Sequence, residues 1–144
     1  MVQKTGIDAV DIGLKESFTK TVSETDTYLF AGITGDFYPI HMDEEFAKKT
    51  RFKGRIVHGA LLVGLVSTVM AKVNGHIPPP GGVSYHYDVK FVGPVRFGDT
   101  ITTELSVCEK NRERNEIVLD ASCSNQKGEQ VLVGRTVLRV LKDE

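Results

Sequence analysis

His58-Gly59-Ala60-Leu61-Leu62-Val63-Gly64-Leu65-Val66-Ser67-Thr68-Val69-Met70-Ala71-Lys72-Val73 is apolar nearly all round, which predicts a helix buried on most sides. At 100° per residue, Ala60, Gly64, Ser67 and Ala71 fall in one narrow stripe, with Leu62, Leu65, Val66, Val69 and Val73 opposite. The bulky face is expected to bury against a sheet. The small stripe leaves room for another backbone or for a ligand. Asn74-Gly75 ends the helix, and Pro78-Pro79-Pro80-Gly81-Gly82 is a stiff connection that cannot continue it.

Everything after that connection reads as strand. Val83 to Val92, Thr100 to Glu109, Glu116 to Ser124 and Gln130 to Leu141 are separated by Gly-, Pro- and Asn-bearing turns. Period-2 patterning puts Ile117, Leu119, Ala121 and Cys123 on one face, and Ile101, Leu105 and Val107 likewise on one face. Before the long helix, Met1 to Gly13 is expected to be a loosely ordered lead-in, and Leu14 to Val22 a strand. Ser23 is positioned as an N-cap with Asp26 as its capping-box partner, and the helix it starts carries Tyr28, Leu29, Phe30 and Ile33 as its apolar side. Gly35 ends that helix. Asp43 caps a short helix, Glu44 to Lys49, with Phe46 and Ala47 turned inward. The expected class is therefore α+β, one domain over residues 1–144, with an antiparallel sheet wrapped around a long buried central helix.

Composition narrows the function. The chain has 144 residues, 40% apolar and 26% charged, with a net charge of −1. It has no basic stripe of the kind nucleic acid selects, and no apolar run near the roughly 18 residues of a membrane span. Met1 to Lys15 holds no signal-type apolar core. No nucleic-acid or membrane partner is expected, and the protein is expected to be soluble and cytoplasmic. Cys108 and Cys123 form neither a metal-spaced pair nor a disulfide framework, and read as buried free thiols.

The chemistry is expected in Thr34-Gly35-Asp36-Phe37-Tyr38-Pro39-Ile40-His41 together with the helix start at Gly59. Asp36 and His41 lie five apart across a segment punctuated by Gly and Pro, so a turn can bring both side chains to one point. A carboxylate and an imidazole suit a reaction that takes a proton from one atom and delivers it to another. Gly59 supplies the electrophilic aid. In the first turn of a helix its N–H has no intrahelical acceptor, and without a side chain it lets a substrate oxygen approach.

At these motifs the sequence resembles a known family. Phe30-Ala31, Thr34-Gly35-Asp36, Pro39-Ile40-His41, Ile56-Val57-His58-Gly59 and Phe91, Pro94-Val95, Gly98-Asp99 resemble, in order and spacing, the MaoC-like (R)-specific enoyl-CoA hydratases and related 3-hydroxyacyl-thioester dehydratases. The resemblance implies a hot-dog fold and reversible hydration of trans-2-enoyl thioesters to (R)-3-hydroxyacyl thioesters. It also implies a substrate carried on coenzyme A or an acyl-carrier protein, with no cofactor and no metal. Asp36 and His41 match the catalytic pair, Gly59 the donor to the thioester oxygen, and Ser67 a serine lining the site. A homodimer or higher homo-oligomer is expected, since a small sheet leaves an edge and an apolar face to cover.

Tyr38 stands where the family pattern has asparagine, and is expected to line the substrate pocket and change which acyl chain is accepted. Plainer roles stand beside these. Asp36 can be a turn residue bonding its own backbone, Gly59 can merely allow close packing, and Ser67 can bond a carbonyl one turn back. His58 is read as structural. The run Arg51, Lys53, Arg55 is a solvated face or a contact for coenzyme A phosphates. Two other functions fit the same residues: a thioesterase that directs water at the thioester carbon, and a non-catalytic thioester-binding or partner subunit.

Overall fold

The computed structural model describes residues 6–144, so Met1 to Thr5 of the expected lead-in lie outside the described residues. The remainder of the lead-in is ordered: a 3-10 turn at Gly6–Ala9 carries Ile7 and Val10 into the core. Strand β1 (Lys15–Thr21) leads into helix α1 (Glu24–Thr34) through a reciprocal cap. The Asp26 N–H donates to Ser23 Oγ at 3.1 Å, and the Ser23 N–H donates to Asp26 Oδ2 at 2.8 Å. Gly35 closes α1 with φ +84°, a conformation open to glycine and strained for other residues.

Two four-residue turns of helix follow, α2 (Pro39–Met42) and α3 (Glu44–Ala47), the second capped by Asp43 as expected. The long helix α4 spans Gly59–Asn74. Its terminal Asn74 clasps the next strand, donating from Nδ2 to the Gly82 carbonyl at 2.8 Å and accepting from the Gly82 N–H at 2.7 Å. Strands β2 (Gly82–Phe91), β3 (Thr100–Asn111), β4 (Glu116–Ser124) and β5 (Gln130–Val140) complete one antiparallel sheet in the order β1-β3-β4-β5-β2. All four lie where the alternation predicts, and β1 and β2 form the edges.

Helix α4 presses Leu62, Leu65, Val66, Val69, Met70 and Val73 into a core completed by Ile101, Leu105, Val107, Ile117, Leu119, Ala121 and Cys123 from the sheet. Each large apolar side chain so buried contributes roughly 1.5–3 kcal/mol, which makes this one face the main anchor of the helix. Burial on most sides is not what the single chain shows. Ala60, Gly64, Ser67 and Ala71 are exposed. Small side chains carry little apolar area, so their hydropathy counts as buried while their surface does not demand it. Of the apolar side expected of α1, Tyr28, Leu29 and Ile33 are turned outward and exposed while Phe30 is half-buried; Thr27 and Ala31 are the buried residues. In α3, Ala47 points inward as expected, but Phe46 is largely exposed. Cys123 is buried and Cys108 half-buried, and neither is in a disulfide.

Candidate active site

The segment between α3 and α4 is stitched to two neighbours, and this brings the two halves of the site together. The Ile56 N–H donates to the Ile40 carbonyl at 3.2 Å, and the Val57 N–H to the Val95 carbonyl at 2.8 Å. The loop beneath is held by Arg96, whose guanidinium donates to the carbonyls of Phe52, Gly54 (3.1 Å) and Arg55 (3.2 Å). Arg55 is no free cation. It pairs with Glu24 at 2.9 Å and Glu44 at 3.2 Å, and donates to the Tyr28 hydroxyl at 2.9 Å, tying α1 and α3 to the loop. Of the basic run, Arg51 lines the cavity described below and Lys53 is solvent-exposed.

Asp36 sits on the turn after α1. Its Oδ1 accepts the Tyr38 N–H at 3.2 Å, and its own N–H donates to Thr34 Oγ1 at 3.2 Å. The turn role expected as the plainer reading is therefore present, but it occupies one carboxylate oxygen and leaves Oδ2 for chemistry. His41, on α2, donates from Nδ1 to the Ile56 carbonyl at 2.8 Å. A carbonyl can only accept, so Nδ1 carries the hydrogen and Nε2 is left as the basic nitrogen. Burial holds the His41 pKa below its ordinary value, and a charge on His58 would lower it further. The Ile56 bond and the Asp36 carboxylate oppose both without reversing them.

His58, the residue before α4 and read from the sequence as structural, lies against both Asp36 and His41. It is 1% exposed, and Nε2 donates to the Asp36 carbonyl at 2.9 Å. Its ring stacks on His41 with centroids 3.9 Å apart and an interplanar angle of 26°, and Phe30 packs at 4.7 Å. A histidine 22 positions from the aspartate gives no periodic sign of such a contact. Ligand-type atoms of Asp36, His41 and His58 all lie within 4.8 Å of one another. Such a group invites a metal ion, but stacked rings send their in-plane lone pairs side by side instead of converging on a point about 2.0–2.1 Å from each. We therefore read it as an acid/base cluster.

Gly59 begins α4, and among the described residues its N–H meets no acceptor. Its Cα faces the Phe91 ring so closely that an added Cβ would lie 3.0–3.1 Å from three ring carbons. His41, Gly59 and Phe91 line one cavity of about 550 Å³, walled by Phe52, Ile56, Val57, Leu62, Val92 and Val95. Asp36 is exposed and close to His41 but is not itself part of the cavity lining. The lining mixes these apolar side chains with Arg51 and Arg96 and includes a base and a free N–H, a form that can take an acyl chain with a polar reacting head. Two expected residues are not brought together with these. Ser67 lies on the exposed stripe of α4, two turns from Gly59 and outside the cavity lining. Tyr38 is 56% exposed and also outside it, set edge-on to His41 at 6.5 Å and to Phe46 at 5.9 Å.

The family model of the MaoC-like domain matches residues 8–127. Over 128 residues the chain is 37% identical to an (R)-specific enoyl-CoA hydratase of Rhodospirillum rubrum, covering 89% of this chain and 86% of that one. It is 38% identical over 135 residues to a 3-hydroxybutyryl-CoA dehydratase of Methylorubrum extorquens, covering 94% and 83%. Among solved structures, an unliganded R-hydratase of Pseudomonas aeruginosa superposes with a TM-score of 0.79 at 34% identity, covering 93% of this chain and 84% of that one.

Proposed function

The chain belongs to the MaoC-like dehydratase family, and from that premise we propose that it adds water reversibly to trans-2-enoyl-CoA thioesters, giving (R)-3-hydroxyacyl-CoA. What supports this reading is a carboxylate close to an imidazole whose Nε2 is unspent, with that imidazole and a helix-start N–H that meets no acceptor among the described residues lining one cavity. Asp36 and His41 hold one water between them. Its hydroxyl bonds to Cβ while the C=C electron pair moves toward the thioester, and charge gathers on the thioester oxygen as an enolate beside the Gly59 N–H. The proton taken up by the pair passes to Cα as the enolate collapses, so one water supplies both added groups. Lowering of the His41 pKa suits it to accept that proton near neutrality. Ser67 and Tyr38 take no step in this scheme.

The enzyme is further proposed to act as a homodimer. The ten-residue edge strand β2 exposes Val83, Tyr85 and Phe91, the small stripe of α4 is uncovered, and Leu29, Ile33 and Phe37 are exposed on α1 and the turn after it. A second copy is the economical cover for these surfaces. Among the described residues, no helix is long and apolar enough to cross a membrane. The two thiols outside any disulfide support a reducing, cytoplasmic setting.

Crotonyl-CoA and longer trans-2-enoyl-CoAs test the reaction, with enoyl absorbance and free thiol recorded together for the parent, Asp36→Asn and His41→Ala. The expected outcome is absorbance loss without thiol release, reduced about 10²–10⁴-fold in both variants. Thiol release would replace the hydratase by a thioesterase. Binding without turnover, unaffected by Asp36→Asn, would make the chain a thioester-binding subunit.

A further inference from the structure

His58 occupies the N-cap position of α4, yet its side chain makes no capping bond to the helix. Its one hydrogen bond leaves the helix altogether and goes to the Asp36 carbonyl, 22 residues away, and its Nδ1 is buried without a partner. A histidine kept only for the helix start would be expected to use a ring nitrogen on the helix. A histidine kept only for packing would be replaceable by an apolar ring without leaving a polar atom orphaned in the core. Neither account explains a polar ring carried at this depth.

We propose that His58 is a positioning residue: it fixes the Asp36 turn by the Nε2–H bond to the carbonyl and fixes the His41 ring by stacking on it, and so sets the spacing of the acid/base pair. This rests on the hydration reading of the site. The turn from Gly35 to Tyr38, after the end of α1, is exposed along its whole length in the single chain, and its side-chain bonds, between Thr34, Asp36 and Tyr38, are local. The His58 bond is its tie to the core. His41 is tied at Nδ1 by Ile56, which leaves rotation about that bond to be limited by neighbours. The His58 face, 3.9 Å away and itself backed by Phe30, limits it on one side. Gly59 follows His58 directly, so the same residue joins the oxyanion donor to the pair. Titratable groups facing His41 are Asp36 and Tyr38 from the turn and its end and His58 from the cap of α4, with Arg51 and Arg96 lining the same cavity.

Two substitutions separate the two contacts. His58→Phe keeps a ring against His41 and removes the bond to Asp36, whereas His58→Gln keeps a donor and removes the ring. With crotonyl-CoA, His58→Phe is expected to lower kcat about 10–100-fold, the scale on which loss of alignment acts, with KM held within about twofold. His58→Gln is expected to recover part of that loss. Independently of turnover, ¹⁵N imidazole titration is expected to show the His41 midpoint rising in His58→Phe, because a ring that can oppose charge on His41 is replaced by a neutral one while burial remains. A His58→Phe enzyme with parental kcat, or an unmoved His41 midpoint, overturns the inference. If His58→Phe does not fold, His58→Gln carries the test, and an unchanged kcat and midpoint there overturn it equally. A parent inactive on every enoyl thioester overturns the hydratase reading instead, and the titration alone then decides for His58.

Discussion

Replacing Gly59 by alanine isolates the oxyanion donor from the stability of the fold. The backbone at Gly59 is not in the left-handed region, so alanine is conformationally acceptable there. In the first turn of a helix it gains up to about 1 kcal/mol in propensity and unfolded-chain entropy. Against this stands Phe91. The new Cβ would lie 3.0 Å from Cε1 and 3.1 Å from both Cδ1 and Cζ, inside the optimum of about 3.5–4.0 Å for carbon pairs. Phe91 ends an edge strand and is 54% exposed, so the ring can swing aside at small cost. The fold is expected to keep its unfolding midpoint. Activity is expected to fall, because Phe91 lines the cavity, the Cβ aims at it, and a substrate oxygen must therefore approach the N–H past an added methyl group. Losing one such donor raises the barrier by about 2.7–4 kcal/mol, or 10²–10³ in kcat. The assay is steady-state hydration of crotonyl-CoA by the parent, Gly59→Ala, Phe91→Ala and the double variant, with thermal unfolding of each. A Gly59→Ala enzyme within a few-fold of parental kcat would refute the donor role. Activity restored by adding Phe91→Ala would refute it as well, since the loss would then have come through the displaced ring.

The lowered pKa of His41 makes two further statements. The acid limb of kcat/KM is expected below the ordinary histidine value of about 6.5, read from a pH profile. For stability, a lowered folded pKa means that the unfolded chain takes up the proton first as pH falls. Stability is therefore full above about 6.5 and declines as the pH drops from there through the folded pKa, and His41→Gln is expected to flatten that slope in urea melts. Arg96→Ala removes the donor to three loop carbonyls and is expected to destabilise by about 2 kcal/mol, measured as a shift in urea midpoint. Tyr38→Asn is expected to leave the acyl chain-length profile unchanged, checked across a series of enoyl-CoAs, because Tyr38 does not reach the cavity.

What could be read from the sequence was what repeats along an element. The caps at Ser23 and Asp43, the stop at Asn74-Gly75 and the four strands after Gly82 follow from residue types whose local chemistry acts within a few positions. The bulky face of α4 was legible for the same reason, since hydropathy and helical period agree there. The small stripe and the outward side of α1 were not, because periodicity says which residues share a face and not whether the chain itself supplies the cover. Asp36, His41 and Gly59 were legible as motif residues, but the bond from His58 to the Asp36 carbonyl joins positions 36 and 58 through space, and nothing in either segment's pattern announces it.

Tyr38 shows that a motif position does not by itself fix where a side chain points. Its place two residues after Asp36, in a motif where the family has asparagine, makes it an expected pocket residue. In the single chain it lies outside the cavity lining, and Pro39 accounts for that. It starts α2 immediately after Tyr38, and the turn sends His41 inward to Ile56 while Tyr38 stays at the helix's outer start, edge-on to His41 and Phe46. An asparagine there has a shorter reach and no ring to meet Phe46, so the replacement changes what backs the catalytic turn on its solvent side. The apolar part of the cavity lining comes from Phe52, Val57, Leu62, Phe91 and Val95. On the hydratase reading, acyl selectivity is expected to respond to substitutions at those positions, and Tyr38 to act through the orientation of His41.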